Sequence, residues 1–463
     1  MLHKFRTPDI WLPYILLAVL YVTAVMLRPL FPIDETRYMT VAWEMYLRGD
    51  WLAPLTVNFQ PYHHKPPLLF WLINMSWSVF GVSRWAGMLP ALVASFFCLF
   101  LTRKLAEMLF PENQKISRNV PMLMIGSVPF LIYGLLIMFD ITLTVFVLLS
   151  LLALLSFAKS GEKKYLLWFA IAIGMGVLTK GPVAWLYVIF PILLAPLWLP
   201  QAMKPLKWYG GCLIALLLST IPVLLWLIPV LSQSSDKFAY WLGWEQTAGR
   251  VTGNFSASHA RPVWFYLPLL PVMFLPWVFF PSFWKGMHRF KQSYSSQWAV
   301  RFLLIWMLPV FIAFSLISGK QPHYLVPLLP GVLILIALWL EISFKKIYLI
   351  AGGMAAILVL VQVVGALTFF KRYDLQPVVA YMQAHQQHDW AYIPKYHGEL
   401  TFLGRLEKAV DNEQMDTIDE WFATHPDGLA VIRFQNPAQV SDYEMVFDMP
   451  YRSKRIGIFK RLE

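Results

Sequence analysis

The residues best suited to chemistry gather near the N-terminus. They run Phe31-Pro32-Ile33-Asp34-Glu35-Thr36-Arg37-Tyr38, then Gly49-Asp50-Trp51-Leu52-Ala53-Pro54, then Pro61-Tyr62-His63-His64-Lys65-Pro66-Pro67-Leu68. Carboxylates suit general acid–base work, and fixed Arg and Lys suit an anion whose charge develops during reaction. Asp34 and Glu35 open an expected helix that Gly49 is placed to stop. An acidic pair at that position is also the ordinary start of an amphipathic surface helix, because carboxylates favour the positive end of the helix dipole. Three features favour a site. The pair follows a run long enough to span a membrane, Arg37 and Tyr38 come within one turn, and His63, His64 and Lys65 return at the same level.

Asp140 stands in otherwise apolar surroundings between Gly134 and Thr144. An ionisable residue at membrane depth is costly and so a candidate for function. A turn Asp capping the next helix is the alternative, and the residues alone leave both open. A third set comprises Lys180 (Thr179-Lys180-Gly181-Pro182), the loop Glu245 to Arg261 with His259, and Lys320 with Tyr324 (Ser318-Gly319-Lys320-Gln321-Pro322-His323-Tyr324). Together with Arg37, these cations suit an anionic ligand such as a lipid phosphate. Singly, each also reads as a helix-end cation reaching for headgroups. His63, His64 and His259 with Asp34 or Glu35 offer ligands to a divalent ion, zinc or magnesium, though without helical i,i+4 spacing. No cofactor is otherwise required. The chain has no P-loop, no dinucleotide glycine fingerprint, no C-x-x-C and no H-E-x-x-H.

Composition says what must hold these residues. Of 463 residues, 58% are hydrophobic and 14% charged, with mean hydropathy +0.56. A soluble chain carries about 25% charged residues, and a disordered one is poor in apolar residues. Cys98 and Cys212 both lie in apolar runs, which excludes a disulfide scaffold. The net charge of +12 fits cytoplasmic loops of a membrane protein better than a nucleic-acid partner.

A span needs about 20 apolar residues. Such runs fall at 10–28, 85–102, 120–138, 141–158, 165–179, 182–200, 208–231, 263–284, 299–317, 322–340 and 347–370. The expected fold is therefore an α-helical polytopic membrane protein, with about 11–13 transmembrane helices once Pro-interrupted runs are allowed for. The stretch Pro66 to Phe80 reads as a helix at the interface. The first run follows Lys4 and Arg6 without a small-residue cleavage site, so it reads as a retained anchor. With the N-terminus cytoplasmic, the inner loops hold 17 of the 27 Lys and Arg before residue 370. That bias sets the orientation. It leaves loops 29–67 and 232–262 on the outer side with Asp34, Asp140 and Lys180. Residues 1–370 form the expected transmembrane domain. Residues 371–463 change character, with Leu429 to Phe434 and Ile456 to Phe459 reading as strands and Asp374 to Ala384 as a helix. They form a small soluble α/β domain, expected in the periplasm.

Read in order, Asp34-Glu35-Thr36-Arg37-Tyr38, Gly49-Asp50-Trp51-x-x-Pro54, His64-Lys65-Pro66-Pro67 and Lys320-x-x-x-Tyr324-Leu-x-Pro327-Leu-Leu-Pro330 resemble the polyprenyl-phosphate-sugar-dependent GT-C glycosyltransferases. The nearest likeness is to the lipid A aminoarabinose transferases and the protein O-mannosyltransferase group, over about residues 8–340. The resemblance implies a GT-C fold and inverting transfer of a sugar from an undecaprenyl-phosphate carrier at the outer face of the bacterial inner membrane. It maps the first acidic residue to Asp34, the second to Asp140, and the lysine that meets the carrier phosphate to Lys65. Where the aminoarabinose enzymes carry a metal-binding glutamate before that lysine, this chain has His64, whose partner would be His259. That departure bears on both the metal and the sugar.

The expected function is a glycosyltransferase. Asp34, Glu35 and Asp140 are the candidate catalytic carboxylates; Lys65, Arg37, Tyr38, Arg261, Lys180, Lys320 and Tyr324 face the donor phosphate. The partners are a polyprenyl-phosphate-linked sugar, membrane lipids, and a lipid, glycan or protein acceptor. The competing reading is a transporter or flippase for a lipid-linked anion. It predicts inverted repeats and midplane charges, and the sequence shows neither. An assembly protein without chemistry is a third.

Overall fold

The computed structural model describes residues 8–199, 203–242, 260–288 and 297–462. Among these, seven helices are long and apolar enough to cross a membrane: Ile10–Leu27, Arg84–Leu109, Phe139–Ser160, Leu206–Ser232, Trp298–Leu316, Pro322–Trp339 and Phe344–Leu367. The other four expected runs are present as shorter or divided helices, and proline explains part of this. Run 263–284 contains Pro268, Pro271, Pro276 and Pro281, and breaks into 3-10 turns and short helices. Run 120–138 divides at Gly126 and Ser127 into Gln114–Ile125 and Val128–Tyr133. The helix Lys164–Lys180 is one residue short of a span by that measure. The expected interface helix is the short apolar helix Leu68–Phe80. The architecture is that of a polytopic helical membrane protein with a small C-terminal sheet.

The chain divides into two units. The first comprises residues 1–23, 63–72 and 88–360. Its centre is the helix Phe139–Ser160 (α1), packed on Lys164–Lys180 (α2). Gly174 on α2 faces Ser219, where a Cβ would lie 2.7 Å from the Ser219 carbonyl, so a larger residue would push the helices apart. The loop between Leu316 and Pro322 is tied down by polar contacts. Tyr187 donates to the Tyr324 carbonyl (2.7 Å), Tyr266 to that of Gln321 (3.1 Å), and Lys320 to those of Ile317 (2.5 Å) and Arg261 (2.8 Å). A backbone bridge pairs Ala260 with Gly319.

The second unit comprises residues 24–62, 73–87 and 361–463. Its N-terminal part is the helix Asp34–Arg48 (α3), closed by Gly49 in the left-handed conformation, with φ 67°. The Gly49 N–H caps the carbonyls of Met45 and Tyr46. Glu44, fully buried on α3, holds the hairpin of β1 (Thr56–Val57) and β2 (Gln60–Pro61) by accepting from Thr56 Oγ1 at 2.6 Å and Phe59 N at 3.0 Å. The C-terminal part contributes β3 (Trp390–Ile393), β4 (Asp411–Asn412), β5 (Leu429–Phe434), β6 (Tyr443–Tyr451) and β7 (Lys454–Arg461), in the order β4-β3-β5-β7-β6. The first three strands are parallel and the rest antiparallel. Alternation along the strands gives two apolar faces. The helix Gln376–Ala384 covers one through Val378, Val379 and Met382; Ile418–Thr424 covers the other through Ile418, Trp421 and Phe422. The two expected strands and the expected helix of this region are all present.

Three contacts lock the segment after β3 onto α3. Thr40 donates to the Gly398 carbonyl (2.6 Å) and accepts from Phe402 N (3.2 Å), while Trp43 donates to the Leu406 carbonyl (3.0 Å). Asn58, at the hairpin turn, exchanges two hydrogen bonds with the Val410 backbone (2.7 and 2.9 Å).

Candidate active-site residues

In the first unit, Asp140 is the second residue of α1, so its carboxylate meets the positive end of that helix dipole. Its side chain is 2% exposed. A carboxylate taken from water at this depth needs opposite charge and hydrogen bonds around it. Lys180, the last residue of α2, supplies both as a direct ion-pair partner. His323 Nε2 lies 4.0 Å from the other carboxylate oxygen, and Lys65 is within electrostatic reach.

Aromatic rings frame these cations. Lys65 Nζ sits 5.5 Å from the Phe139 ring centre and Lys180 Nζ 4.4 Å from that of Tyr324. Such faces attract cations and fix where they sit. The arrangement suits an anion that develops charge on leaving, because its cations are held before reaction begins.

In the second unit, the two neighbouring acids have different surroundings. Glu35 is buried and gripped by Arg28 through two hydrogen bonds, of 2.5 and 3.0 Å, while also accepting from Phe31 N at 2.9 Å. This fork-on-fork pair fixes the chain where it enters α3. Asp34 is 54% exposed and accepts from Arg37 Nη2 (2.5 Å) and Tyr38 Oη (3.4 Å). Of the pair, Asp34 is the carboxylate an incoming hydroxyl can reach. His397 and Glu399, on the loop after β3, share electrostatics with Arg37. Burial, helped by Arg37, Lys395 and Arg433, pushes His397 down to about 4, so its ring is neutral at pH 7. Burial holds the Glu399 carboxyl above the usual carboxylate range.

Asp140, Lys180, Lys65 and Tyr324 come together in the first unit; Asp34, Arg37 and Tyr38 come together in the second. Lys320 is buried and donates to backbone carbonyls, which ties down its loop. Arg261 is exposed, with its guanidinium 5.0 Å from the Phe265 ring centre. The His64 ring lies beside that of His63, tilted by 37°, with ring centres 4.5 Å apart. His259, its expected partner, lies outside the described residues. Among the described residues no three His, Cys, Asp or Glu side chains gather to hold a metal ion.

Sequence reading missed His323, whose signal was its position three residues after Lys320 in a Pro-bounded segment. It also missed Arg28, His397 and Arg433, which carry no motif.

Residues 64–226 match the family described as dolichyl-phosphate-mannose-protein mannosyltransferase. The chain is 32% identical over 332 residues to an undecaprenyl phosphate-α-4-amino-4-deoxy-L-arabinose arabinosyl transferase of Pseudomonas fluorescens, covering 70% of this chain and 58% of that one. It is 32% identical to the corresponding Pseudomonas aeruginosa enzyme, over 65% of this chain and 54% of that one. The chain thus spans little more than half the length of these relatives. The crystal structure of ArnT from Cupriavidus metallidurans bound to undecaprenyl phosphate superimposes with TM-score 0.78, at 17% identity, over 98% of each chain. The oligosaccharyltransferase AglB of Archaeoglobus fulgidus gives 0.53, at 13% identity, over 98% of this chain and 75% of that one. The fold is of the GT-C type, and the likeness read from the motifs is borne out.

Proposed function

With a GT-C fold and two arabinosyl-transferase relatives as premises, we propose that the protein transfers a sugar, with inversion, from a polyprenyl-phosphate carrier to an envelope acceptor. The observation that carries this is the buried Asp140 with Lys180, Lys65 and His323 around it. In such transfer the bond from the anomeric carbon to the carrier phosphate breaks as the acceptor oxygen bonds from the opposite face. The bonding pair leaves on the phosphate. Lys65 and Lys180 meet that charge; Asp140 holds Lys180 in place through their ion pair.

Asp34 takes the acceptor proton as general base when the acceptor is a hydroxyl. When the acceptor is already an anion, no proton need be removed and Asp34 orients it. Arg37 and Tyr38, both hydrogen-bonded to Asp34, fix its carboxylate. We place the N-terminus in the cytoplasm, and residues 371–463 as a soluble domain in the periplasm of a bacterial inner membrane. The support is the Lys and Arg bias of the loops. Lipid A, another glycan or a protein remain the acceptor classes. A flippase is not favoured, because the relatives are named as transferases.

The test is mass spectrometry of envelope lipids and glycans from cells with and without the protein, and with Asp34→Asn. A sugar modification present with the wild type and missing from both other strains supports the reading. Unchanged glycans in all three, with labelled carrier lipid moved across liposomes, would replace it with transport.

A further inference from the structure

We propose that His385 and His388 form a chelating site for one divalent late first-row metal ion, zinc being the type. Two imidazoles hold the ion and water completes its coordination. The site uses no residue placed in the transfer reaction and is independent of that reading.

Local structure brings the pair together. The helix Gln376–Ala384 ends at His385, and the chain turns directly into β3 at Trp390. His388 N donates to the His385 carbonyl at 3.3 Å, which closes a β-turn with one histidine at each end. Leu429 N donates to the Asp389 carbonyl at 2.9 Å and anchors the turn to the start of β5. The two ring centres lie 6.1 Å apart. Imidazoles bind zinc through nitrogen at about 2.0–2.1 Å, so two on one ion place their ring centres about 5–6.5 Å apart. Both residues are half-buried, so solvent and ions reach them.

Hydrogen bonds decide which nitrogen each ring offers. His385 Nδ1 lies 2.9 Å from the Tyr381 carbonyl, and His388 Nδ1 lies 2.5 Å from the Asp427 carbonyl. A carbonyl oxygen only accepts, so both Nδ1 atoms donate, and in the neutral ring Nε2 keeps its lone pair. A ring N–H fixed on a backbone carbonyl is the usual support of a metal-binding histidine. Tyr381 stacks on the His385 ring, with centres 4.2 Å apart and planes 12° apart, and so fixes its plane as well. Neither Nε2 makes a hydrogen bond among the described residues.

The plain alternative is that His385 caps the helix end, as basic residues there commonly do. That accounts for its Nδ1 and leaves both Nε2 atoms unexplained. Charge favours a cation. Segments 383–389 and 424–428 contain Asp389 and Asp427 but no Lys or Arg. Imidazole nitrogen selects zinc, copper and nickel over calcium and magnesium, which prefer oxygen.

Zinc protection against diethyl pyrocarbonate, read residue by residue by peptide mass spectrometry, tests this on the full chain in lipid nanodiscs. The protein carries no polyhistidine tag and is first stripped with a chelator. The reagent acylates imidazole nitrogen, so a coordinated Nε2 is shielded. Zinc should slow modification of His385 and His388 together, at one half-saturating concentration, and magnesium should protect neither. His425 is the control. It stacks on Trp421, with centres 4.6 Å apart, and has no second imidazole beside it among the described residues. His388→Gln should raise the zinc concentration that protects His385 by about tenfold or more, because the second imidazole no longer binds intramolecularly. His385→Gln should do the same to His388. Absence of zinc protection at both histidines of the wild type overturns the proposal. So does protection of His385 that His388→Gln leaves unchanged, or equal protection of His425. Should a variant melt below the metal-free wild type, the wild-type comparison with His425 and magnesium decides alone.

Discussion

Lys180, at the end of one helix, donates to the carboxylate of Asp140, at the start of the helix before it, forty residues away in sequence. Both are almost fully buried, and each makes the other tolerable there. Removing one partner of such a pair takes away the direct counter-charge of the other and costs up to about 3–5 kcal/mol. Lys180→Met should therefore lower the unfolding midpoint in detergent strongly. Asp140→Asn/Lys180→Met should recover part of that loss while sugar transfer stays absent. Thermal unfolding and a transfer assay on the same preparations check this; a double variant as unstable as Lys180→Met would refute mutual compensation.

The adjacent acids should separate cleanly. Asp34→Asn should keep the wild-type melting temperature and lose about 10²–10⁴-fold in transfer, the usual contribution of a general base. Glu35→Gln should destabilise the protein by about 3–5 kcal/mol, because it removes the carboxylate that grips the buried Arg28. Parallel melting curves and initial rates distinguish the two, and equal effects from both would remove the distinction.

Two lysines should also differ. Lys65→Gln should raise KM for the polyprenyl-phosphate donor by about tenfold, since it removes one charge-assisted contact to phosphate. Lys320→Met should alter stability with little change in KM, because its ammonium bonds the Ile317 and Arg261 carbonyls. Donor titrations at fixed acceptor concentration provide the check.

Acidification should weaken the C-terminal part of the molecule through His397. Its pKa falls from an ordinary 6.5 to about 4 on folding, chiefly by burial. Between those values the unfolded chain takes up a proton that the folded one refuses, so folding stability is full above pH 6.5 and declines toward pH 4. Glu399 works in the opposite sense: its raised folded pKa favours the fold at low pH, and that contribution disappears as pH rises through it. Melting curves of the wild type and His397→Gln should converge above pH 6.5. They should diverge below it, with the wild type losing stability faster. Parallel curves would show that His397 does not carry the effect.

The sequence by itself determined the membrane character, most spans, the helix from Asp34 to its Gly49 stop, and the strands at Leu429–Phe434 and Ile456–Phe459. Apolar length, turn residues and alternation are local properties, and local pattern is enough to read them. It also marked Asp34, Lys65, Asp140 and Lys180, because charge in an apolar setting stands out in one dimension. The tertiary structure decided what those marks mean. Asp34 and Glu35 are neighbours of the same chemical type, yet one is exposed and the other sealed against Arg28. Lys180 and Lys320 look alike as helix-end lysines, yet one meets a carboxylate and the other meets carbonyls. His397 and Arg433 carry no motif, His323 is marked only by its place in a Pro-bounded segment, and all three acquire partners only when distant segments fold together. Charge and hydropathy are properties of a residue; desolvation and pairing are properties of its surroundings, and distant parts of the chain supply those.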